Sequence, residues 1–308
     1  MSDGLVPRRP FGKTGESVSL LGVGGYHLGV PADEKDAFRI VHTCIDAGAD
    51  FMDCAWEYND GESERRLGKA LQQGNLRDKV FLMTKDCAHD RRAHNSRLKL
   101  EQSLTRLKTD RLDLWMIHEV VWEDDPDRIL APGGSAEALV KAKEAGKTRF
   151  IGFTGHKSPK IFKRMLDQGF PWDAVLMPVN VLDAHYDSFI NEIIPICKEQ
   201  GIAMIGMKSF ADGWLFKSGC DITPQEALRY AMSQDISCLL SGMESLERVE
   251  QSLGVARDFQ PMSADESAAV LARSKPYAAD GQWEPFKSSR NYEGPEGRNF
   301  HNVKYAFQ

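Results

Sequence analysis

Eight short apolar runs, each followed by a helix-like segment, recur between residues 18 and 260, and no other feature of the chain narrows its fold so far. The runs are VSLLGVG (18–24), ADFMDCA (49–55), KVFLMTK (79–85), LDLWMIH (112–118), RFIGFTG (149–155), DAVLMPVN (173–180), IAMIGMKS (202–209) and ISCLLSGM (236–243). Near-continuous apolar character over so few residues marks strands buried on both faces, as in a parallel sheet. The intervening segments read as helices over 33–48, 62–74, 96–109, 136–146, 159–169, 188–201, 224–234 and 245–259, several of them closing on glycine. Eight such units in about 250 residues predict an α/β fold of the (β/α)8 TIM-barrel type. A doubly wound open sheet is the competing architecture. It usually carries GxGxxG after its first strand, whereas the turn here reads GVGGYHLG.

No boundary interrupts 18–260, so the chain reads as a single domain over 1–308, with the barrel at about 18–260 and a C-terminal extension at 261–308. The last stretch, 275–308, is rich in Gly, Pro and Asn and holds seven aromatics, too many for pure disorder. It reads either as a tail on the barrel wall or as a flap over the barrel mouth.

Composition excludes several function classes. The net charge is −6 and no Lys/Arg-rich run is present, which disfavours nucleic acid and anionic membranes as partners. No apolar run approaches the ~18 residues of a membrane span, and the start lacks the apolar middle of a secretory signal. The six cysteines (44, 54, 87, 197, 220, 238) form no CxxC pair, so no metal site is expected. They read as reduced, buried thiols of a cytoplasmic protein.

In a barrel of this type the functional residues sit at the C-terminal ends of the strands. Those ends carry Asp53, Lys85, His118, Thr154, Asn180, and Lys208 with Ser209, and the loop after the second run adds Tyr58. Singly, each has an ordinary explanation as a cap, a solvated strand end or packing. A carboxylate, an ammonium and an imidazole on adjacent strands beside a phenol make a site. A free phenol, of pKa about 10, is a sluggish acid at neutral pH, and a nearby ammonium lowers that value. Asp53 would hold Lys85 charged, and His118 would orient a substrate carbonyl or pass a proton. Such a site polarises a carbonyl and protonates its oxygen, and the hydride must come from a cofactor.

These residues resemble the aldo-keto reductases. DCAWEY fits the D-x-A-x-x-Y motif of that family, the lysine of FLMTK and the histidine of LDLWMIH follow at similar distances, and RRPFGKTGESVSLLGVGGYHLG resembles its N-terminal β-hairpin and first strand. The resemblance covers roughly residues 8 to 260. It implies a TIM barrel that binds NADPH, with NADH possible, without a Rossmann domain. Tyr58 is then the acid, with Asp53, Lys85 and His118 completing a catalytic tetrad.

The same resemblance implies a cofactor site. Thr154 and Gly155 stand where relatives carry a Ser-Asn pair on the nicotinamide amide, and Leu176 stands for the usual glutamine. Asn180 fits a later asparagine, and Met207 takes the place of a stacking aromatic. Lys208, Ser209 and Gly213 belong to a loop over the pyrophosphate. Gly242, Arg248, Gln251 and Ser252 fall in the adenosine-phosphate segment, with Arg248 toward a 2′-phosphate, and Gly25 and Tyr26 complete the set. The substrate, a small carbonyl or alcohol compound, would meet Tyr26, His27, Trp56, Trp122 and Trp283 or Phe286, and tryptophans in such places suit apolar or ring-shaped compounds. Oligomeric state is not legible. Two other classes stay open: a Schiff-base lyase using Lys85, and a slow-turnover nucleotide-sensing subunit.

Overall fold

The computed structural model describes residues 4–290 together with Tyr292 and Glu293. Eight parallel strands close into a barrel: β3 (Leu21–Gly24), β4 (Phe51–Asp53), β5 (Phe81–Lys85), β6 (Leu112–Ile117), β7 (Thr148–Thr154), β8 (Ala174–Pro178), β9 (Ala203–Met207) and β10 (Cys238–Gly242), with β10 pairing back to β3. All eight expected strands form, and seven of the eight expected helices form with ends shifted by a few residues, while the one expected over 188–201 is divided into Phe189–Glu192 and Ile194–Gln200. The first apolar run is divided: Ser17–Ser19 forms β2, which pairs antiparallel with β1 (Arg8–Pro10), and the barrel strand begins at Leu21.

That hairpin closes the lower end of the barrel. Phe11 is fully buried and its ring lies 4.9 Å from that of Phe81. It joins the interior cluster of Phe51, Met83, Leu114, Met116, Leu176, Ile205 and Leu240. Burying one such aromatic contributes roughly 2–3 kcal/mol. A larger cluster, including Met52, Leu82, Trp115, Ile117 and Phe153, packs the outer strand faces against the helices. Alternate residues of one strand therefore serve two cores, which explains why the strands read as continuous apolar runs.

The extension is more ordered than its composition suggests. Helix Ala264–Ala278 opens on a capping box between Ser263 and Glu266, and a short helix follows at Pro285–Ser288. A satellite cluster of Val181, Leu215, Tyr230, Val270 and Phe286 binds the extension to the loops after β8 and β9. Residue 291 and residues 294–308, the end of the expected flap, lie outside the described residues. Among the described residues no helix is long and apolar enough to cross a membrane. All six cysteines are free and buried.

Candidate functional site

Side chains alternate along a strand, so the inward set of each strand delivers one residue to the barrel's upper rim. Those residues are Gly24, Asp53, Lys85, His118, Thr154, Leu176, Met207 and Gly242, one per strand, and all line a single cavity of about 800 Å³. His118 lies just past the end of β6. Tyr58, also lining the cavity, arrives from a tight turn in which Asn59 and Asp60 adopt left-handed φ of 51° and 55°. The Asn59 amide donates to the Tyr26 carbonyl at 2.8 Å and to Ser63 at 2.9 Å, tying this turn to the loop after β3.

The four residues expected to act together are brought together. The Lys85 ammonium contacts the Asp53 carboxylate, donates to the Cys54 carbonyl at 2.7 Å, and donates to the Tyr58 hydroxyl at 3.1 Å. The Tyr58 and His118 rings meet edge to face at 5.5 Å. The expected lowering of the phenol does not prevail. Burial first, then the charges of Asp53 and Glu119, hold Tyr58 well above its ordinary value. Burial is the larger cause, and Asp53 adds to it, since it touches the ammonium and cancels much of its field before it reaches the phenol. Tyr58 is thus a neutral donor with a cation at hand, able to release its proton only as negative charge builds on an acceptor oxygen.

Behind His118 lies a chain of groups that sequence reasoning missed. Glu57, one residue before Tyr58, accepts from His118 Nδ1 and, with its other oxygen, pairs with His89 Nε2 at 3.0 Å. Burial alone would raise the Glu57 carboxyl, but the two histidines more than offset this and hold it well below the usual range. Ligand atoms of Glu57, Cys87 and His89 lie within 4.8 Å of one another, yet both carboxylate oxygens are already taken by imidazoles. The fully buried Arg91 pairs with Asp125 at 2.7 Å and donates to the carbonyls of His118 at 2.8 Å and Glu119 at 2.7 Å. It fixes the turn in which His118 sits.

The expected cofactor residues divide. Tyr26, Thr154, Met207, Lys208, Ser209, Gly213, Gly242 and Arg248 line the cavity. Burial lowers the Lys208 ammonium, and its Nζ lies 5.0 Å from the Phe286 ring and 5.4 Å from the Tyr292 ring. Five others do not line it. Asn180 is wholly buried, donates to Glu284 at 3.0 Å, and accepts from the amides of Leu182 and Asp183. Gly25 packs so closely on β4 that an added Cβ would lie 1.9 Å from the Asp53 carbonyl oxygen. Gly155 is pressed on the loop after β6, where a Cβ would meet the Val120 oxygen at 2.4 Å. Ser252 is bonded to Ser241 at 3.1 Å, and Gln251 accepts from Arg248 at 3.0 Å.

The tryptophan expectation is corrected. Trp56 faces outward, donating to Gln102 at 2.7 Å beneath Lys99 and Arg106, because Arg106 also captures its carbonyl. Trp122 is buried in the loop whose amides Asp125 collects, Trp283 packs 6.2 Å from Trp214, and Phe286 lies in the satellite core. None of these four lines the cavity. Tyr26 and His27 do, joined by Glu119, His156, Phe210, Phe216 and, from the extension, Tyr292. Tyr292 is held by Trp214 at 2.9 Å and Asp212 at 2.8 Å. His156, buried among Lys208, Phe286 and Tyr292, stood in plain view in GFTGH; an imidazole directly after a strand end is the signal that could have found it.

Comparison with known proteins agrees with this fold. Residues 20–225 match the model of the Aldo/keto reductase family. The chain is 28% identical over 295 residues to an L-galactose dehydrogenase of Arabidopsis thaliana, covering 84% of this chain and 90% of that protein. It is 33% identical over 179 residues to a 6-dehydroglucose reductase of Novosphingobium aromaticivorans, covering 52% of this chain and 56% of that protein. A holo-form aldo-keto reductase from Bacillus halodurans shares the fold with a TM-score of 0.75 at 23% identity, over 91% of this chain and 99% of that one.

Proposed function

The chain belongs to the aldo/keto reductase family of oxidoreductases, and from that premise we propose that it reduces an aldehyde or ketone to an alcohol, or runs the reverse, with NAD(P)H as hydride source and Tyr58 as general acid. The observation that carries this reading is the Lys85 ammonium shared between Asp53, Cys54 and Tyr58 at the cavity floor. The residues present fit a dinucleotide: the cavity, about 800 Å³, is lined by loops after several strands, and the cations Lys208 and Arg248 line it together with Ser209. When bound, the nicotinamide supplies the hydride.

The rest falls to side chains. His118, with Nδ1 turned to Glu57, has Nε2 left for the substrate oxygen: it accepts from an alcohol hydroxyl when neutral and donates to a carbonyl oxygen as the imidazolium, orienting either. As that oxygen gains charge, Tyr58 passes it a proton, and Lys85 stabilises the phenolate left behind. An ammonium shared between Asp53, Cys54 and Tyr58 has no lone pair free to attack a carbonyl, which disfavours a lyase. A sensing subunit would bind nucleotide and turn over slowly, so one assay separates it.

Titration with NADPH and NADH, followed by tryptophan fluorescence, tests the cofactor. Tyr58→Phe is expected to lower reduction by ~10²–10⁴ while nucleotide affinity stays within a few-fold. Failure to bind either nucleotide removes the reading, and a Tyr58→Phe protein of normal activity removes the role of Tyr58.

A further inference from the structure

Beside the catalytic histidine, the cavity contains a carboxylate that none of the described residues engages. Glu119 follows His118 directly and lines the same cavity as Tyr58. Its carboxylate has no hydrogen-bond or ion-pair partner among the described residues, in contrast to Asp53 and Glu57, whose oxygens are all engaged. Leaving a part-buried carboxylate unpaired is unfavourable. The group is nonetheless held there. Glu119 has a left-handed φ of 46°, and Arg91, itself locked on Asp125, grips its carbonyl at 2.7 Å. Strain of this kind persists where the surroundings over-determine it.

The adjacent strand end adds a second polar atom with no hydrogen-bond partner among the described residues. His156 follows β7 by two residues and lines the cavity, and its Nε2 is buried without a hydrogen bond. The two strand ends are joined through the Val120 amide, which donates to the Thr154 carbonyl at 2.7 Å. Burial and the charges of Lys208 and His118 keep this imidazole neutral, well below its ordinary value. With Trp56 and Trp122 turned away from the cavity, the end near Tyr58 is more polar than the sequence implied.

We propose that Glu119 is a specificity-determining residue that binds a hydroxyl group of the substrate next to its carbonyl, so that the site selects polyhydroxylated, sugar-like carbonyl compounds over apolar ones. This rests on the carbonyl-reductase reading above. A hydroxyl suits the carboxyl better than a cation does. Burial, with Glu57 as a nearby like charge, raises Glu119, although His118 and Lys208 oppose this. A carboxyl so placed can accept from, or donate to, a hydroxyl, whereas a cationic ligand requires full ionisation and would share the cavity with Lys208 and Arg248.

The test compares glyceraldehyde with propanal, which differ in their hydroxyls, in the wild-type protein and in Glu119→Gln and Glu119→Ala, with NADPH as reductant. NADPH binding by fluorescence and thermal melting of each protein are measured alongside. The wild-type kcat/KM is expected to favour glyceraldehyde. Glu119→Ala is expected to reduce the glyceraldehyde-to-propanal ratio by roughly tenfold or more, since a hydrogen bond to a charged group is worth ~1.5–3 kcal/mol. Glu119→Gln, which can still accept and donate, is expected to retain part of the ratio. Parallel loss on both aldehydes in folded variants, or a wild-type preference for propanal, overturns the inference while leaving the reductase reading intact. Reduction of neither aldehyde by wild type, or no NADPH binding, overturns both.

Discussion

Glu57 illustrates how one side chain can govern another's chemistry without meeting the substrate. Its carboxylate occupies His118 Nδ1 on one side and His89 on the other. With an ionised acceptor on Nδ1, a neutral His118 keeps its proton there and its bare Nε2 can accept only from a substrate hydroxyl, so donation to a carbonyl oxygen requires the imidazolium. Glu57→Gln exchanges one carboxylate oxygen for an NH2 donor and removes the charge. The expected outcome is a mixed or inverted His118 tautomer in ring 15N NMR, an altered pH–rate profile, and a fall in kcat/KM of about tenfold or more, the scale of one charge-assisted hydrogen bond. Nucleotide affinity is expected to hold. An unchanged tautomer with unchanged kinetics would show that Glu57 is only a packing acid. Legibility follows the same physics. Asp53, Lys85 and His118 could be read because a polar residue ending a buried strand breaks an apolar run, and Tyr58 because it completes a spaced motif. Glu57, Glu119 and Arg91 lie in loops beyond the strand ends, where no period is kept and an acid or arginine breaks no pattern.

Strands and helices were legible almost throughout, because burial on both faces writes itself into consecutive positions. The extension was not, since besides its apolar packing its order rests on a buried polar cluster. Lys287 donates to Asp183 at 2.6 Å, to Glu284 at 2.9 Å and to the Tyr186 carbonyl at 2.9 Å. Asn180 donates to Glu284, which is why the asparagine expected near a cofactor faces the extension instead. Burial raises Glu284 to about 7, with Lys287 opposing and Asp183 reinforcing. A carboxyl raised in the folded state stabilises the protein most below its unfolded value of 4.5, and the contribution is lost as pH rises through about 7. Wild-type protein is therefore expected to lose more thermal stability between pH 5 and 8 than Glu284→Gln, by a few degrees in Tm. Melting curves of both proteins at several pH values provide the comparison, and equal slopes would mean that Glu284 ionises freely.

At the scale of the whole molecule, charge works against the proposed cofactor. A net charge of −6 supplies no long-range attraction for an anionic dinucleotide. Any preference for the nucleotide with the extra phosphate must therefore be built by local cations against the overall field. Lys208 and Arg248 are the lysine and arginine that line the cavity besides Lys85, which Asp53 neutralises. Lys208 lies beneath Phe286 and Tyr292, in the loop that the family resemblance associates with the pyrophosphate. Arg248 lies in the first turn of helix Leu246–Arg257, is exposed, and is held by Gln251 at 3.0 Å. On this reading Arg248 takes the 2′-phosphate and Gln251 positions its guanidinium, which gives Gln251 a place in cofactor recognition without lining the cavity. A guanidinium–phosphate pair is worth ~1.5–3 kcal/mol when shielded, and exposure to salt pulls this site toward the lower figure. NADPH is therefore expected to bind more tightly than NADH by about tenfold, and Arg248→Ala to remove most of that difference while leaving NADH affinity nearly unchanged. The margin is expected to shrink as ionic strength rises, which a buried contact would resist. Dissociation constants of both nucleotides for both proteins, at two salt concentrations, decide the matter. Parallel losses for the two nucleotides, or an unmutated protein that favours NADH, would mean that Arg248 does not read the phosphate.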